Sequence, residues 1–283
     1  MGSTEFGNFN KFCAHSTLPV CNLLSPPTND QDEGDWGGCQ LVGIRLEGGR
    51  NLTNVGSIIL AGIAVIVATL ILSYSGRKKF IGRGEMQIFL LGYILISVCE
   101  IFSVGGLPIS KNVRMAFSAI HIGAITATTW VLVMNALVGF QLTDDSASIT
   151  LAATLLVSLI LFVGTGYVAL DTGFQFTQHW ASSYESPNRH IFLYVLYQLL
   201  PLVFLVVFYV LEGILVIRVL GEIRPMLYLS IAAVLFAVGQ VFNYIASGYI
   251  CDGTGGKVDG ALFQTFFTLL AVIMIWIFWG SLK

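Results

Sequence analysis

The chain has 283 residues, of which 55% are hydrophobic and only 11% are charged, whereas charged residues make up about 25% of an average soluble domain. So few charges cannot cover the surface of a water-soluble protein of this length, and the mean hydropathy of +0.81 agrees. The formal net charge of −2 provides no basic field for nucleic acid, so we expect a membrane protein without a nucleic-acid partner.

The N-terminal part of the chain is polar and rich in Gly, Asn and Asp, and it lacks the apolar core of a cleavable signal peptide. We therefore expect residues 1–54 to form a lumenal tail and residues 55–283 to form a transmembrane domain. The tripeptide Asn51-Leu52-Thr53 is a sequon for N-glycosylation. Because Asn51 comes directly before the first apolar segment, we expect low occupancy.

Seven apolar segments follow, each long enough to cross the roughly 30 Å of bilayer hydrocarbon that needs about 20 helical residues. They are continuous and lack the alternation of a barrel strand. The sequence therefore predicts an all-α fold, a bundle of seven transmembrane helices. The predicted spans are residues 55–75, 86–104, 115–140, 149–170, 191–217, 226–246 and 261–281.

Orientation follows from the loop after the first span. The basic residues of the chain divide equally between the two sides, but Arg77, Lys78, Lys79 and Arg83 crowd this one loop. Since the first helix usually dominates orientation and basic loops stay cytosolic, we expect a lumenal or extracellular N-terminus and a cytosolic C-terminus.

With this orientation, four of the five cysteines lie on the oxidising side: Cys13, Cys21, Cys39 and Cys251. Four cysteines allow three pairings. We favour a local Cys13–Cys21 bond together with a Cys39–Cys251 bond that ties the tail to the loop before the last helix. Four free thiols are the alternative.

Ionisable residues inside a span are candidates for function. Glu100 and His121 lie at comparable depth and form a candidate hydrogen-bonded pair, although Glu100 could instead reach the membrane interface. Glu212 could bond inside the bundle or face a partner helix. The candidate contacts for a partner helix are Glu212, Gly213, Gly239, Gln240 and Asn243, all of which could equally be internal.

Enzyme chemistry has little support in the sequence. The four histidines show neither the i, i+4 spacing nor the neighbouring cysteines of a zinc site. The last span contains no Lys that could hold retinal as a Schiff base. We therefore predict no catalytic residues, no metal and no cofactor.

Several motifs, taken in order and spacing, resemble the fungal chitin synthase export chaperone family over nearly the whole chain. They are Phe6-Gly7-x-Phe9, Cys13 and Leu18-Pro19-Val20-Cys21 in the tail; Gly82-Arg83-Gly84-Glu85 in the basic loop; Asn135-x-x-Val138-Gly139-Phe140-Gln141-Leu142 with Asp144-Asp145; and Gly239-Gln240-Val241, Tyr244, Ser247, Ile250-Cys251 and Asp259-Gly260.

The resemblance implies a multi-pass protein of the endoplasmic reticulum membrane that binds a chitin synthase and supports its folding and export. It also implies a protein that is not an enzyme and that could accompany its client to the plasma membrane. Many members continue into a longer polar cytosolic tail, whereas this sequence ends at Lys283. This difference bears on client identity more than on the fold.

Three alternatives to an export chaperone remain open. The first is a stable accessory subunit of a polysaccharide synthase. The second is a seven-helix receptor, although the third span lacks an acidic–basic pair and the last span lacks an Asn-Pro motif. The third is a lipid or solute transporter with a polar path through Gln198, Glu212, Gln240 and Asn243.

Overall fold

The computed structural model describes residues 6–24, 41–45, 51–76, 82–140, 147–177, 179–180 and 190–282. In that part of the chain, seven helices are long and apolar enough to cross a membrane, which confirms the predicted seven-helix bundle. We number them as the first to seventh spanning helices. Their bounds are Val55–Ser75, Arg83–Ser103, Lys111–Gly139, Ala147–Phe174, Ile191–Leu220, Ile223–Gly253 and Gly260–Ser281.

Several helices extend beyond the predicted spans. The third begins at Lys111, the fourth continues to Phe174 and the sixth continues to Gly253. The reason is that a helix need not end where the hydrocarbon ends, because its polar last turns are solvated at the interface. At the start of the third helix, the side chain of Ser110 caps the helix by accepting a hydrogen bond from the backbone N–H of Val113 (3.4 Å).

The third spanning helix is the centre of the bundle, since it packs against the second, fourth and fifth helices. Its contact with the fourth helix depends on a glycine. A Cβ atom at Gly123 would lie 2.7 Å from the carbonyl oxygen of Phe162 and 3.3 Å from the nitrogen of Gly166. The two backbones therefore approach closely, as small residues allow in membrane helices.

The N-terminal segment is built into one end of the bundle. Residues 10–15 form a short helix and residues 19–22 a 3-10 turn. Phe9, Leu18 and Val20 are at most 2% exposed and belong to one core cluster with Ile122 and Leu193 of the third and fifth helices. Residues 6–24 of the predicted tail are therefore part of the folded domain.

A hydrogen bond also joins this segment to the fifth helix. The backbone N–H of His190, which precedes the fifth helix, donates to the carbonyl oxygen of Gly7 (2.9 Å). The imidazole of His190 is buried, and its Nδ1 lies 3.3 Å from the carbonyl oxygen of Trp180. Burial lowers the pKa of His190 below its ordinary value because the charged form is poorly solvated there.

The cysteines follow the predicted pattern where the structure describes them. Cys13 and Cys21 form a disulfide within the N-terminal segment, which confirms that prediction. Cys99 is buried and free, and Cys251 is buried and disulfide-bonded. Cys39 lies outside the described residues, so the predicted Cys39–Cys251 pairing stays a prediction.

Two short strands, β1 (Ile44–Arg45) and β2 (Asn51–Leu52), pair antiparallel before the first spanning helix. Just before β1, the backbone N–H of Val42 donates to the carbonyl oxygen of Gly256 (2.9 Å). Residues 41–45 therefore lie at the same end of the bundle as the connection between the sixth and seventh helices. The predicted sequon at Asn51 lies in β2, and its occupancy stays a prediction.

Candidate functional site

A cavity of about 490 Å³ lies inside the bundle, between the second, third, fifth, sixth and seventh spanning helices. Thr17 and Pro19 of the N-terminal segment line it at one end. The segment therefore covers one end of a chamber that lies within the membrane domain.

The end of the cavity beneath this cover is polar. Its polar lining includes Glu100, His121, Gln198, Gln240, Tyr244, Gln264 and Thr265. Thr265 donates its hydroxyl to Glu100, and Tyr244 donates to the side-chain oxygen of Gln198 (2.8 Å). These bonds connect different helices, so part of this polar group stabilises the bundle while the rest faces the cavity.

The remainder of the cavity is mostly apolar, with hydroxyls of threonine and tyrosine side chains among the lining residues. Leu205, Phe208, Leu229, Val272 and Ile275 line it, and they come from the fifth, sixth and seventh helices. A cavity with one polar end and a long apolar body suits an amphiphile, that is, a molecule with a small polar group and a hydrocarbon part.

An opening connects the cavity with the lipid-facing surface. The fifth and sixth helices are joined near one end by the hydroxyls of Tyr209 and Ser230, 3.2 Å apart, and near the other end by the Tyr244–Gln198 bond. The stretch of helix from Gln198 to Tyr209 is about 16 Å long at 1.5 Å per residue. Between these bonds, side chains of both helices line the cavity and are also exposed at the surface, so the two helices frame an opening there.

The side chains along this opening both line the cavity and reach the surface. Leu202 and Val206 of the fifth helix are 52% and 55% exposed, and Ala233 and Ala237 of the sixth helix are also exposed. We call the gap between these four residues the lateral opening.

Irregular helix geometry marks the polar end of the lateral opening. The fifth helix contains a π-helical turn at Val195–Leu199, which ends two residues before Pro201, and the sixth contains one at Phe242–Ala246. The Tyr244–Gln198 bond joins these two turns. Proline removes a backbone donor and π turns shift the helix register, so both helices depart here from regular geometry, and π turns are frequent at functional sites.

The structure brings Glu100 and His121 to the same cavity but does not pair them. Glu100 accepts from Thr265, and His121 Nδ1 lies 3.1 Å from the hydroxyl of Ser103. Glu100 therefore bonds inside the bundle, at the wall of the cavity. The proposed direct bond is replaced by two separate ones.

Of the five candidate contacts for a partner helix, three are buried and two are half-buried. Glu212 is 1% exposed and Asn243 is 0% exposed, and Gly239 packs against Phe267 of the seventh helix. Gln240 lines the cavity. One carboxyl oxygen of the buried Glu212 has no partner among the described residues, and a bond inside the bundle stays a prediction. Gly213, like Gln240, is half-buried, and it lies beside Met226 of the sixth helix.

A buried aspartate fastens the covered end of the cavity. Asp259, 2% exposed, precedes the seventh helix and caps it by accepting from the N–H of Ala261 (3.2 Å). It also accepts from the hydroxyl of Thr17 and from the side-chain nitrogen of Asn54 (3.4 Å). This single side chain joins the N-terminal segment, the start of the first helix and the start of the seventh helix.

Sequence reasoning missed two parts of this site. The sequence does not predict that Thr17 and Pro19 cover one end of the cavity, because a polar tail lacks the hydrophobic periodicity that indicates packing. Tyr244 and Asp259 belong to the family motifs but were not predicted as site residues. The signal for both was a hydroxyl or carboxyl group near the end of a predicted span, close to the amide side chains of the neighbouring spans.

The fold and the cavity define a seven-helix integral membrane protein with a lipid-facing internal chamber. In the part of the chain that the structure describes, no three His, Cys, Asp or Glu side chains come together as a metal site would need. The chain belongs to the chitin synthase export chaperone family, whose model matches residues 5–283. This confirms the resemblance drawn from the motifs.

Curated relatives agree with the family match. A chitin synthase export chaperone of Chaetomium globosum is 31% identical and covers 98% of this chain and 82% of its own length. One from Coccidioides immitis is 30% identical with the same coverage, and one from Cryptococcus neoformans var. neoformans is 29% identical, with 74% of its length covered. No solved structure matches this chain significantly.

Proposed function

We infer that this chain is a chaperone of the endoplasmic reticulum membrane that binds a chitin synthase and supports its folding and export. The family match over residues 5–283 carries the inference, because it spans the N-terminal cover and all seven helices. The three relatives named above align over 98% of this chain. The protein acts by binding its client within the bilayer, where polar groups of a synthase helix need partners.

The first experiment identifies the partner. The protein is extracted from fungal membranes in a gentle detergent, and the protein that co-purifies at equal amount is identified by mass spectrometry. We expect a chitin synthase. Recovery of no polysaccharide synthase would refute the proposal, while the fold would stand.

A second experiment follows the client in cells. Without the chain, a fluorescent chitin synthase should accumulate in the endoplasmic reticulum, whereas an unrelated multi-pass protein of the plasma membrane should still arrive there. Normal arrival of the synthase would contradict an export role. If the complex is instead recovered mainly from plasma membrane, the protein is a stable subunit of the synthase.

The contact surface can be tested at Gly213. A Cβ at this position would only touch Met226 of the sixth helix, 3.7 Å away, and the neighbouring Ile214 is 45% exposed. We place a client contact here and expect Gly213→Leu to reduce recovery of the synthase. Gly62→Leu is the matched control, because nothing lies within 4 Å of a Cβ there. Equal recovery from both variants would remove this surface and leave the chaperone role intact.

A further inference from the structure

We propose that the cavity binds an uncharged lipid with a hydroxyl headgroup, which enters from the bilayer through the lateral opening between the fifth and sixth spanning helices. This inference concerns a ligand of the protein itself and does not depend on the chitin synthase client.

The size of the cavity excludes a helix as its occupant. A spanning helix about 10 Å wide and 30 Å long occupies roughly 2,400 Å³, whereas the cavity holds about 490 Å³. Pockets for single small molecules fall between about 300 and 1,000 Å³. The cavity therefore fits one lipid-sized molecule.

The position of the opening identifies the bilayer as the source. Leu202, Val206, Ala233 and Ala237 line the cavity and are exposed on the surface that faces lipid. A hydrocarbon body can pass between these apolar side chains without leaving an apolar environment. Water-soluble ligands would have to cross the same apolar rim at a desolvation cost.

The charges of the lining exclude a phosphate headgroup. Among the described residues that line the cavity, none is Lys or Arg, and the acidic residue is Glu100. A phosphate needs cationic or backbone donors, so it would be unpaired beside Glu100. An uncharged hydroxyl can donate to a carboxyl or amide oxygen and accept from an amide N–H.

One lining side chain lacks a partner that such a headgroup would supply. Gln240 lines the cavity, and no hydrogen bond joins its amide to any other described residue. The neighbouring amides differ: Gln198 accepts from Tyr244, and Gln264 accepts from Asn243. An unpaired amide inside a membrane domain is costly. A lipid hydroxyl at this end of the cavity would pair it.

The test uses purified protein in nanodiscs and two diazirine photoprobes, a sterol and a monoacylglycerol, each in competition with its unlabelled parent. Both probes carry a hydroxyl headgroup. The probe whose labelling is reduced by its unlabelled parent identifies the class of lipid that the cavity binds. We expect saturable labelling, with adducts on the segments that hold Leu202–Val206 and Ala233–Ala237. A photoreactive phosphatidic acid should label without saturation.

Variants with a matched control complete the test. Ala237→Trp fills the lateral opening and should lower saturable labelling at least fivefold, as should Gln240→Leu. Ala152→Trp, on an exposed face of the fourth helix that does not line the cavity, should leave labelling unchanged. Should Ala237→Trp not fold, the adduct map of the unaltered protein decides.

Any of three labelling results would overturn the proposal: adducts confined to outward faces such as that of the fourth helix, labelling that no unlabelled lipid competes, or equal labelling of Ala237→Trp and Ala152→Trp. Capture of the client's helix by a crosslinker at position 237 would also overturn it. Failure here leaves co-purification of a synthase unaffected, so the two inferences are tested separately.

Discussion

Replacing Asp259 by Ala should destabilise the protein more than any other single change at the covered end of the cavity. The substitution removes the cap of the seventh helix, worth about 1 kcal/mol. It also removes the acceptor for Thr17 and for Asn54, which is 1% exposed, and leaving a buried donor unpaired costs about 1–3 kcal/mol. We therefore expect a loss of about 3 kcal/mol, since the Asn54 bond is long.

For a protein of this size, about 3 kcal/mol corresponds to a fall in melting temperature of roughly 6–12 °C. Melting of the detergent-purified protein, followed by size-exclusion chromatography after heating, measures it. Asp259→Asn keeps an acceptor and should lose less than half as much. Asp252→Ala is the control, because Asp252 is exposed and only seven residues away. If Asp259→Ala and Asp252→Ala melt together, Asp259 does not fasten this end of the bundle.

Three further changes test other parts of the fold. Gly123→Leu should force the third and fourth helices apart and cost about 1–3 kcal/mol, whereas Gly164→Leu, where nothing lies within 4 Å of a Cβ, should melt normally. Replacing Cys13 and Cys21 together by Ser should cost about 2–3 kcal/mol, as expected for closing a short loop. His190→Gln should reduce the pH dependence of stability. Because the pKa of His190 is lowered on folding, its neutral form stabilises the protein fully above the unfolded pKa of about 6.5, and stability is lost as pH falls below that value.

For each variant, one result would contradict the expectation. Equal melting of the two glycine variants would mean that the helices separate without cost. A double cysteine variant as stable as the unaltered protein would show that packing alone holds the N-terminal segment. If His190→Gln loses as much stability as the unaltered protein between pH 7.5 and pH 5.5, other groups cause the loss.

The seven helices could be predicted because each needs only its own apolar length, which is a local property. The burial of the N-terminal segment could not be predicted, because Phe9, Leu18 and Val20 belong to no long apolar segment and their partners lie far along the chain. The cavity could not be predicted for the same reason, because the residues that line it come from distant parts of the chain. Gln198, Gln240 and Gln264 are alike as mid-span amides in the sequence, but only Gln198 and Gln264 have side-chain hydrogen-bond partners among the described residues, and a sequence does not record which amide is left unpaired.

The bond between Thr17 and Asp259 joins residues 242 positions apart, and this separation sets the order of assembly. At the usual ribosomal rate of about 5–20 residues per second, Thr17 waits roughly 12–50 s before Asp259 exists. Residues near the N-terminus are thus synthesised early but form this contact late. During that interval the N-terminal segment lacks this partner, and the bond forms only after the connection that leads into the seventh helix has been made.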